Sequence, residues 1–409
     1  MTLLSPLFSP RASLENPALP LTSTSLVDWL AGPKSTSGVS VTETSSLGMP
    51  AVWRAVNLIA GAAASLPLHA YRETGEQGRD RVTTGRAADL LRNPHPDMSA
   101  FELWETAFAH MLLWGNAYLW VGRDRLDRIT ELWPIHPGRV RVGRTSEQGA
   151  KVYSIDNGER EHTDHTILHL PGFGYDGVCG VSPIRAARQG IGLALAAEEY
   201  GARLFGNGSL ASGILQTDQR LNSEQADALA ARWKAKRAGL KGAHETIILD
   251  AGAKFQQLTI PPEDAQFLQS RSFQISEVAR MFGVPPHMLM DTEKSTSWGT
   301  GIEQQSIGFV VYTLRPWLTR VEQRVTRLLR PQAVYAKFSV EGLLRGDSAQ
   351  RAAFYKTMRE VGALNSNEIR ELEERGPIEG GDAYYVPLNM GELGTTDQET
   401  ATEEVPSDA

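Results

Sequence analysis

Cysteine occurs once in 409 residues, at Cys179, which excludes an intrachain disulfide and a thiolate metal cluster. A cytoplasmic, reducing setting is the plain expectation. No run approaches the ~18 consecutive apolar residues of a membrane-spanning helix. The opening residues, MTLLSPLFSPRASLENP, lack the basic start and apolar block of a signal peptide. No Walker loop, GxSxG elbow, HExxH pair or paired-carboxylate motif stands out. An excess of basic charge is missing as well: the formal net charge is −7 and the pI near 5.8. That argues against a chain that grips nucleic acid over its whole surface. The acidity is local, however. Glu392, Asp397, Glu399, Glu403, Glu404 and Asp408 carry −6 within Gly391–Ala409, where Lys and Arg are absent, so the rest of the chain stands at −1.

What is present is the composition of an ordinary soluble protein, 41% hydrophobic and 22% charged, with enough chain for two or three domains' worth of core. No internal repeat is visible. Residues 1–46, rich in Ser, Thr, Pro and Leu without periodicity, read as a loose arm, with order starting near Gly48. Pro50 suits a first helical position, and Val52, Val56, Ile59 and Ala63 form an apolar face; Pro67 ends that helix before a strand at Leu68–Arg72. Ser99 with Glu102 is a capping box opening a second helix. Five strand signals follow: AYLWVG, ITELWPI, GRVRVG, KVYSI and TILHL. Their alternation between turn residues favours a mixed or antiparallel sheet.

The next helix, Pro183 to about Phe205, is crowded with Ala and Gly. Small side chains let helices approach closely, which suits either a buried core helix or packing between copies of the same helix. GILQT, a helix capped by Asn222 or Ser223, TIILD and KFQQLTI then make a small β-α-β-β module. A helix over Asp264–Phe282 brackets it on the far side. Pro285 and Pro286 stop that helix, and Asp291–Gly301 is polar, glycine-containing and aperiodic, the pattern of a mobile loop. A long helix over Ile302–Arg330, roughly 40 Å at ~1.5 Å per residue, should kink at Pro316, which costs the bond to the Tyr312 carbonyl. AVYAKFSV reads as a last strand. Asp347 with Gln350, and Asn365 with Glu368, start two short helices, with Gly362 and Gly376-Pro377 as stops. A bent helix beside a flexible polar loop suits a mechanical part better than a catalytic pocket.

Three motifs invite chemistry. Gly172-Phe-Gly174-Tyr-Asp-Gly177 is a GxGxxG, but five residues separate its last glycine from the helix that a dinucleotide phosphate would need; it reads as a flexible turn. His162, His165 and His169 have spacings that place neighbours on opposite strand faces, so surface or satisfied histidines are the better reading than zinc. Arg320, Arg324 and Arg327 recur at helical spacing, either an ion-paired face or a polyanion contact. In the polar loop, Lys294, Ser295, Thr296, Ser297 and Trp298 offer charge, hydroxyls and aromatic surface to a phosphate backbone.

In their order and spacing, AVWRAVNLIAGAAASLPL, HMLLWGNAYLW, DGVCGVSPI, ISEVARMFGVPPHML, GIEQQSIGFVVYTLRPWLTRVEQ and GALNSNEIRELE resemble the portal (head–tail connector) proteins of tailed double-stranded-DNA phages, prophages and gene transfer agents. The resemblance covers roughly Gly48 to Met390. It implies an α+β portal fold: wing at 47–182, stem helices at 183–205 and 263–283, an α/β clip at 206–262, tunnel loop and long kinked tunnel helix at 284–330, a wing strand at 331–345 and a short helical crown at 346–390. The arm, 1–46, and acidic tail, 391–409, lie outside it. The resemblance further implies a non-enzymatic ring, usually a dodecamer, at one capsid vertex of the virion, assembled in the host cytoplasm. Double-stranded DNA would pass through it. Its partners would be the terminase large subunit, the head–tail adaptor or neck protein and the major capsid protein, with no membrane, cofactor, metal or catalytic residue. Residues 294–298 would face the DNA, with Arg320, Arg324 and Arg327 as further contacts. The alternative is a dinucleotide-binding enzyme built on Gly172–Gly177.

Overall fold

The computed structural model describes residues 35–385 apart from 76–77, 147–148, 159, 207–212, 217–221, 225, 229–230, 232–253, 258–263, 291–299, 341–347 and 374. It divides into two units, Met1–Ser339 and Val340–Ala409.

The first unit is ordered earlier than the sequence suggests. A one-turn helix, α1 (Glu43–Ser46), is capped by Thr42, whose hydroxyl accepts from the Ser45 amide while the Ser45 hydroxyl accepts from the Thr42 amide. Its supports are polar, a local box and a distant anchor, so no apolar period announces it. The buried Glu43 accepts from the Ser182 hydroxyl at 3.3 Å and the Arg185 guanidinium at 3.0 Å. The Thr36 amide and hydroxyl both donate to Gln189.

Helix α2 (Pro50–Ala64) has Pro50 at its first position and buries Val52, Val56, Ile59 and Ala63. Strands β1 (Leu68–Thr74) and β2 (Gly78–Val82) form a hairpin registered through Ala70↔Val82 and Thr74↔Gly78. Neither β2 nor the short helix α3 (Arg86–Arg92) was legible: GRDRV is largely exposed and carries no apolar alternation. Helix α4 (Ala100–Trp114) opens on the anticipated box of Ser99 and Glu102 and stops at Gly115, which is left-handed at φ 76°. It packs against α2.

All five anticipated strands are present: β3 (Asn116–Arg123), β4 (Ile129–Ile135), β5 (Val140–Arg144), β6 (Lys151–Ile155) and, after the two-residue β7 (Glu161–His162), β8 (Ile167–Pro171). They form two antiparallel sheets, ordered β4-β3-β8 and β5-β6-β7. Strand β3, central in its sheet, is buried along most of its length on both faces, as an almost unbroken apolar run requires. Tyr118, Ile135, Val140, Tyr153 and Ile167 join the two sheets in one core.

The single helix anticipated from Pro183 is two: α5 (Pro183–Ala186) and α6 (Arg188–Gly206) meet at Ala187, which is non-helical at φ −95°, ψ 12°. Strands β9 (Gly213–Gln216) and β10 (Lys254–Gln257) pair antiparallel, and residues 223–224 and 226–228 are helical. TIILD lies outside the described residues. Helix α7 (Asp264–Phe282) then ends at Gly283, φ 68°.

The long helix is also not continuous. It comprises α8 (Thr300–Gly308), a π-helical stretch at Phe309–Leu314, and α9 (Arg315–Leu329). The irregularity begins seven residues before Pro316, which sits in the first turn of α9. Because Pro316 cannot donate to the Tyr312 carbonyl, the preceding turn widens: the Arg315 amide bonds the Val310 carbonyl, five residues back. Gly301, anticipated in the loop, is already helical. Strand β11 (Tyr335–Phe338) completes the order β11-β1-β2, and the buried Glu322 of α9 accepts from its Phe338 amide at 2.9 Å.

The second unit holds α10 (Ser348–Glu360) and α11 (Ser366–Leu372). Gly362, at φ 69°, follows α10, and the box of Asn365 and Glu368 opens α11. Tyr355 donates to Glu373 at 2.6 Å. Helices and antiparallel strands occupy separate stretches of chain, the α+β arrangement.

Candidate functional site

Two surfaces were singled out by sequence: the loop after β8 and the bent helix with the polar loop before it. The first is built around Asn116. Its Oδ1 accepts from the Gly180 amide at 2.7 Å and faces His169 Nε2 at 3.0 Å; its Nδ2 donates to the Gly180 carbonyl at 2.8 Å. The Gly172 amide donates to the Gly115 carbonyl at 2.7 Å, and Val181 to Phe173 at 2.7 Å. A β-carbon on Gly174 would lie 2.1 Å from the Cys179 carbonyl oxygen, so this glycine is needed for the loop to fold on itself. Asp176 accepts from the Val178 and Cys179 amides, which hold its carboxyl below the usual range. Gly177, at φ 68°, remains well short of the helix at Pro183. These amides are engaged by the chain's own carbonyls and carboxylate, and no helix N-terminus meets the last glycine. The GxGxxG is a packed turn.

The three histidines do not converge. His169 is 2% exposed, between Asn116 and Tyr153, and stacks on Tyr118 with ring centroids 4.7 Å apart. His165 meets Asp127 at 3.1 Å on the surface, and His162 stands edge-on to Trp120. Among the described residues no group of three His, Cys, Asp or Glu could hold a metal, and no described helix is long and apolar enough to cross a membrane.

Burial has a pH consequence. It holds the His169 imidazole well below its ordinary range, with Lys151 and Arg324 adding to the effect. On α4, burial and then His136 push His110 down to about 4. Both rings are neutral in the folded chain and protonate near pH 6.5 when unfolded. The unfolded state therefore binds more protons as pH falls below 6.5, and stability is lost between there and pH 4. Urea unfolding should show a loss of about 2 kcal/mol from His110 between pH 7 and 5, removed by His110→Phe, with His169 adding a loss of the same sign. A pH-independent unfolding free energy contradicts this.

The second surface is the π-helical junction between α8 and α9. Thr313 within it donates to the Gly283 carbonyl, tying the junction to the end of α7. Phe309, Val310 and Leu314 are buried beneath it, while Ile307, Val311 and Tyr312 face outward, Tyr312 at 82% exposure. Lys294, Ser295, Thr296, Ser297 and Trp298 lie outside the described residues. The three arginines of α9 are directed at the chain's own sheets. Arg320 donates to the Gly172 carbonyl at 3.0 Å and lies over Trp317. Arg327 approaches Asp164 at 3.7 Å. Arg324 lines a recess beside β5 and β6.

Sequence reasoning did not locate a third surface, an apolar groove of about 830 Å³ lined by α6, α7 and the loop after β8. Phe173, Tyr175, Leu193 and Phe273 border it and are 56–88% exposed. Contiguous exposed apolar area of this kind marks an interaction surface. The small residues of α6 were the available signal, since a helix poor in bulk leaves room beside it.

Residues 50–374 match the family model described as "Phage portal protein". The chain is 37% identical over 379 residues to the "Portal protein" of Enterobacteria phage HK97, covering 89% of each. It is 34% identical over 383 residues to the "Probable portal protein" of Streptomyces phage phiC31, covering 89% of this chain and 83% of the relative. Among solved structures it is similar to a chain in the neck of a native gene transfer agent particle computed with C12 symmetry, with a TM-score of 0.57 and 23% identity, covering 86% of this chain and 99% of that one.

Proposed function

The chain belongs to the phage portal protein family, and from that premise we propose that it forms the ring-shaped channel at a unique capsid vertex through which double-stranded DNA is packaged and ejected. The observation that carries this is the span of the family match, which runs unbroken from α2 through the sheets and the bent helix to α11. In this reading residues 47–182 and 331–345 are the wing, α5–α6 and α7 the stem, 206–262 the clip, 284–330 the tunnel loop and helix, and 346–390 a short crown. Twelve copies make the ring, the number for which the symmetry of the gene transfer agent neck is the precedent. A neighbouring copy covers the groove beside α6 and the outward Ile307, Val311 and Tyr312, which otherwise present apolar surface to water.

The channel itself is non-enzymatic, and a terminase large subunit supplies ATP hydrolysis. The clip faces that motor during packaging and the head–tail adaptor afterwards, with the wing against the major capsid protein. Contact with DNA falls first to residues 294–298, with Arg320, Arg324 and Arg327 as further candidates. The ring is tested by mass photometry of the purified chain. Twelve copies of a 44.8 kDa subunit give a particle of about 540 kDa; a species that stays monomeric or dimeric at high concentration contradicts the proposal.

A further inference from the structure

Four cationic side chains of the first unit crowd together beside β5 and β6. Arg144 and Lys151 are direct cross-strand partners in the β5–β6 register, a placement in which like charges destabilise a sheet. Facing them, Arg324 and Arg327 stand three residues apart on α9, neighbours on one helix face. The four side chains line a single recess of about 530 Å³, within the ~300–1,000 Å³ of small-ligand sites. Among the described residues lining it, one carboxylate, Asp164, is present. It already accepts the Tyr153 hydroxyl at 2.6 Å and stands 3.7 Å from Arg327.

Among the described residues the other cations bond to neutral groups, with Asp164 acting on Lys151 only through its charge. Lys151 donates to the Val178 carbonyl at 2.7 Å and Arg144 to the Gly149 carbonyl at 3.0 Å. Arg324 has no hydrogen-bond or carboxylate partner among the described residues, although it is only partly exposed. The Lys151 ammonium is correspondingly pulled below its ordinary range, first by burial and then by Arg324. A site with this much unneutralised positive charge and unused N–H donors is complementary to a multivalent oxyanion, whose oxygens accept several charge-assisted bonds at once.

We infer that the recess between the β5–β6 hairpin and α9 is an oxyanion site, taking a phosphate group among Lys151, Arg324 and Arg327. The inference is independent of the channel reading, because it rests on charges within one subunit.

The test is thermal unfolding of the full-length assembled chain in sodium phosphate against sodium chloride of equal ionic strength, with sodium acetate as a third condition. Phosphate should raise the midpoint saturably, by about 2 °C or more. Arg324→Gln and, separately, Lys151→Met should abolish that increment. In chloride Arg324→Gln should not melt below the parent, since it removes repulsion, whereas Lys151→Met also gives up the bond to the Val178 carbonyl and is read only through its phosphate increment. A 20-base-pair duplex then identifies the source. An Arg324-dependent increment from duplex assigns the group to a nucleic-acid backbone, whereas a response to phosphate alone assigns it to a free anion; either upholds the site. Three results overturn it: no phosphate-specific increment, an increment that survives in both variants as a general salt effect would, or a lower midpoint for Arg324→Gln in chloride, which marks a structural arginine. An Arg324-dependent response to acetate equal to that to phosphate also overturns the phosphate assignment, in favour of a carboxylate.

Discussion

Replacing Lys294–Trp298 with a short Gly-Ser link should leave rings assembling at wild-type yield while cutting the output of full-length packaged genomes at least tenfold. The asymmetry follows from where the changed residues lie. The groove beside α6 and the outward face of Ile307, Val311 and Tyr312, the surfaces proposed to join copies, are untouched by the exchange. What is removed is one cation, three hydroxyls and one indole. A conduit for DNA cannot hold its cargo tightly, because each neutralised phosphate adds to salt-dependent affinity and a strongly held duplex would not slide. On the proposed reading, a loop with Lys294 as its only basic residue would supply weak charge attraction, and Trp298 would add aromatic surface indifferent to sequence. Twelve weak contacts acting together can retain DNA without fixing it. Nuclease-protected genome length, compared with ring yield by mass photometry, separates the two functions. Unchanged packaging of full-length genomes would remove these residues from the DNA path; loss of the ring itself would make them assembly determinants instead.

Much of the fold was legible in the sequence, and the pattern of omissions is physical. Elements whose stability is local were found to within a few residues. Pro50 at a helix start, the box of Ser99 and Glu102, that of Asn365 and Glu368, and the five strands flanked by Gly, Pro and Asp all announce themselves through neighbours a few positions away. Elements held by distant partners were missed. Helix α1 depends on Glu43 meeting Ser182 and Arg185 about 140 residues on, while β2, though a local hairpin partner of β1, is exposed and so shows no apolar alternation. The kink shows an intermediate case. Pro316 signals that a carbonyl loses its partner, but whether the chain bends there or widens the turn before it depends on packing. Here Phe309, Val310 and Leu314 are buried and Thr313 is tied to Gly283. Recognition of the site was legible only as an ordered set of segments, since a channel has no catalytic signature. The groove required α6 and α7 to be placed together, and the cationic recess required α9 to be placed against the sheets.

Gly115→Ala should be among the most destabilising single-methyl additions in the first unit, costing roughly 3–4 kcal/mol. Two independent effects act on the same atom. Gly115 ends α4 at φ 76°, and an L-residue in the left-handed region costs about 1–2 kcal/mol. The added β-carbon would also stand 2.4 Å from the carbonyl carbon and oxygen of Val181 and 2.7 Å from the Ser182 nitrogen. Those are backbone atoms that cannot rotate aside, and overpacking of this kind costs a further ~1–3 kcal/mol. The loop cannot retreat cheaply. The Ser182 hydroxyl is bonded to the Leu113 carbonyl at 2.6 Å, Gly180 is bonded through both backbone groups to Asn116, and Gly172 to Gly115 itself. A comparison at Gly190 isolates the cause, for a β-carbon there meets nothing within 4 Å and the residue is helical; Gly190→Ala should gain up to about 1 kcal/mol. Urea unfolding of both variants, with limited proteolysis across residues 172–182, measures the contrast. If Gly115→Ala unfolds within 0.5 kcal/mol of the parent, to the nearest ~0.5 kcal/mol that independent surface changes span, then the junction between α4, β3 and the loop after β8 is not the rigid joint that these contacts describe.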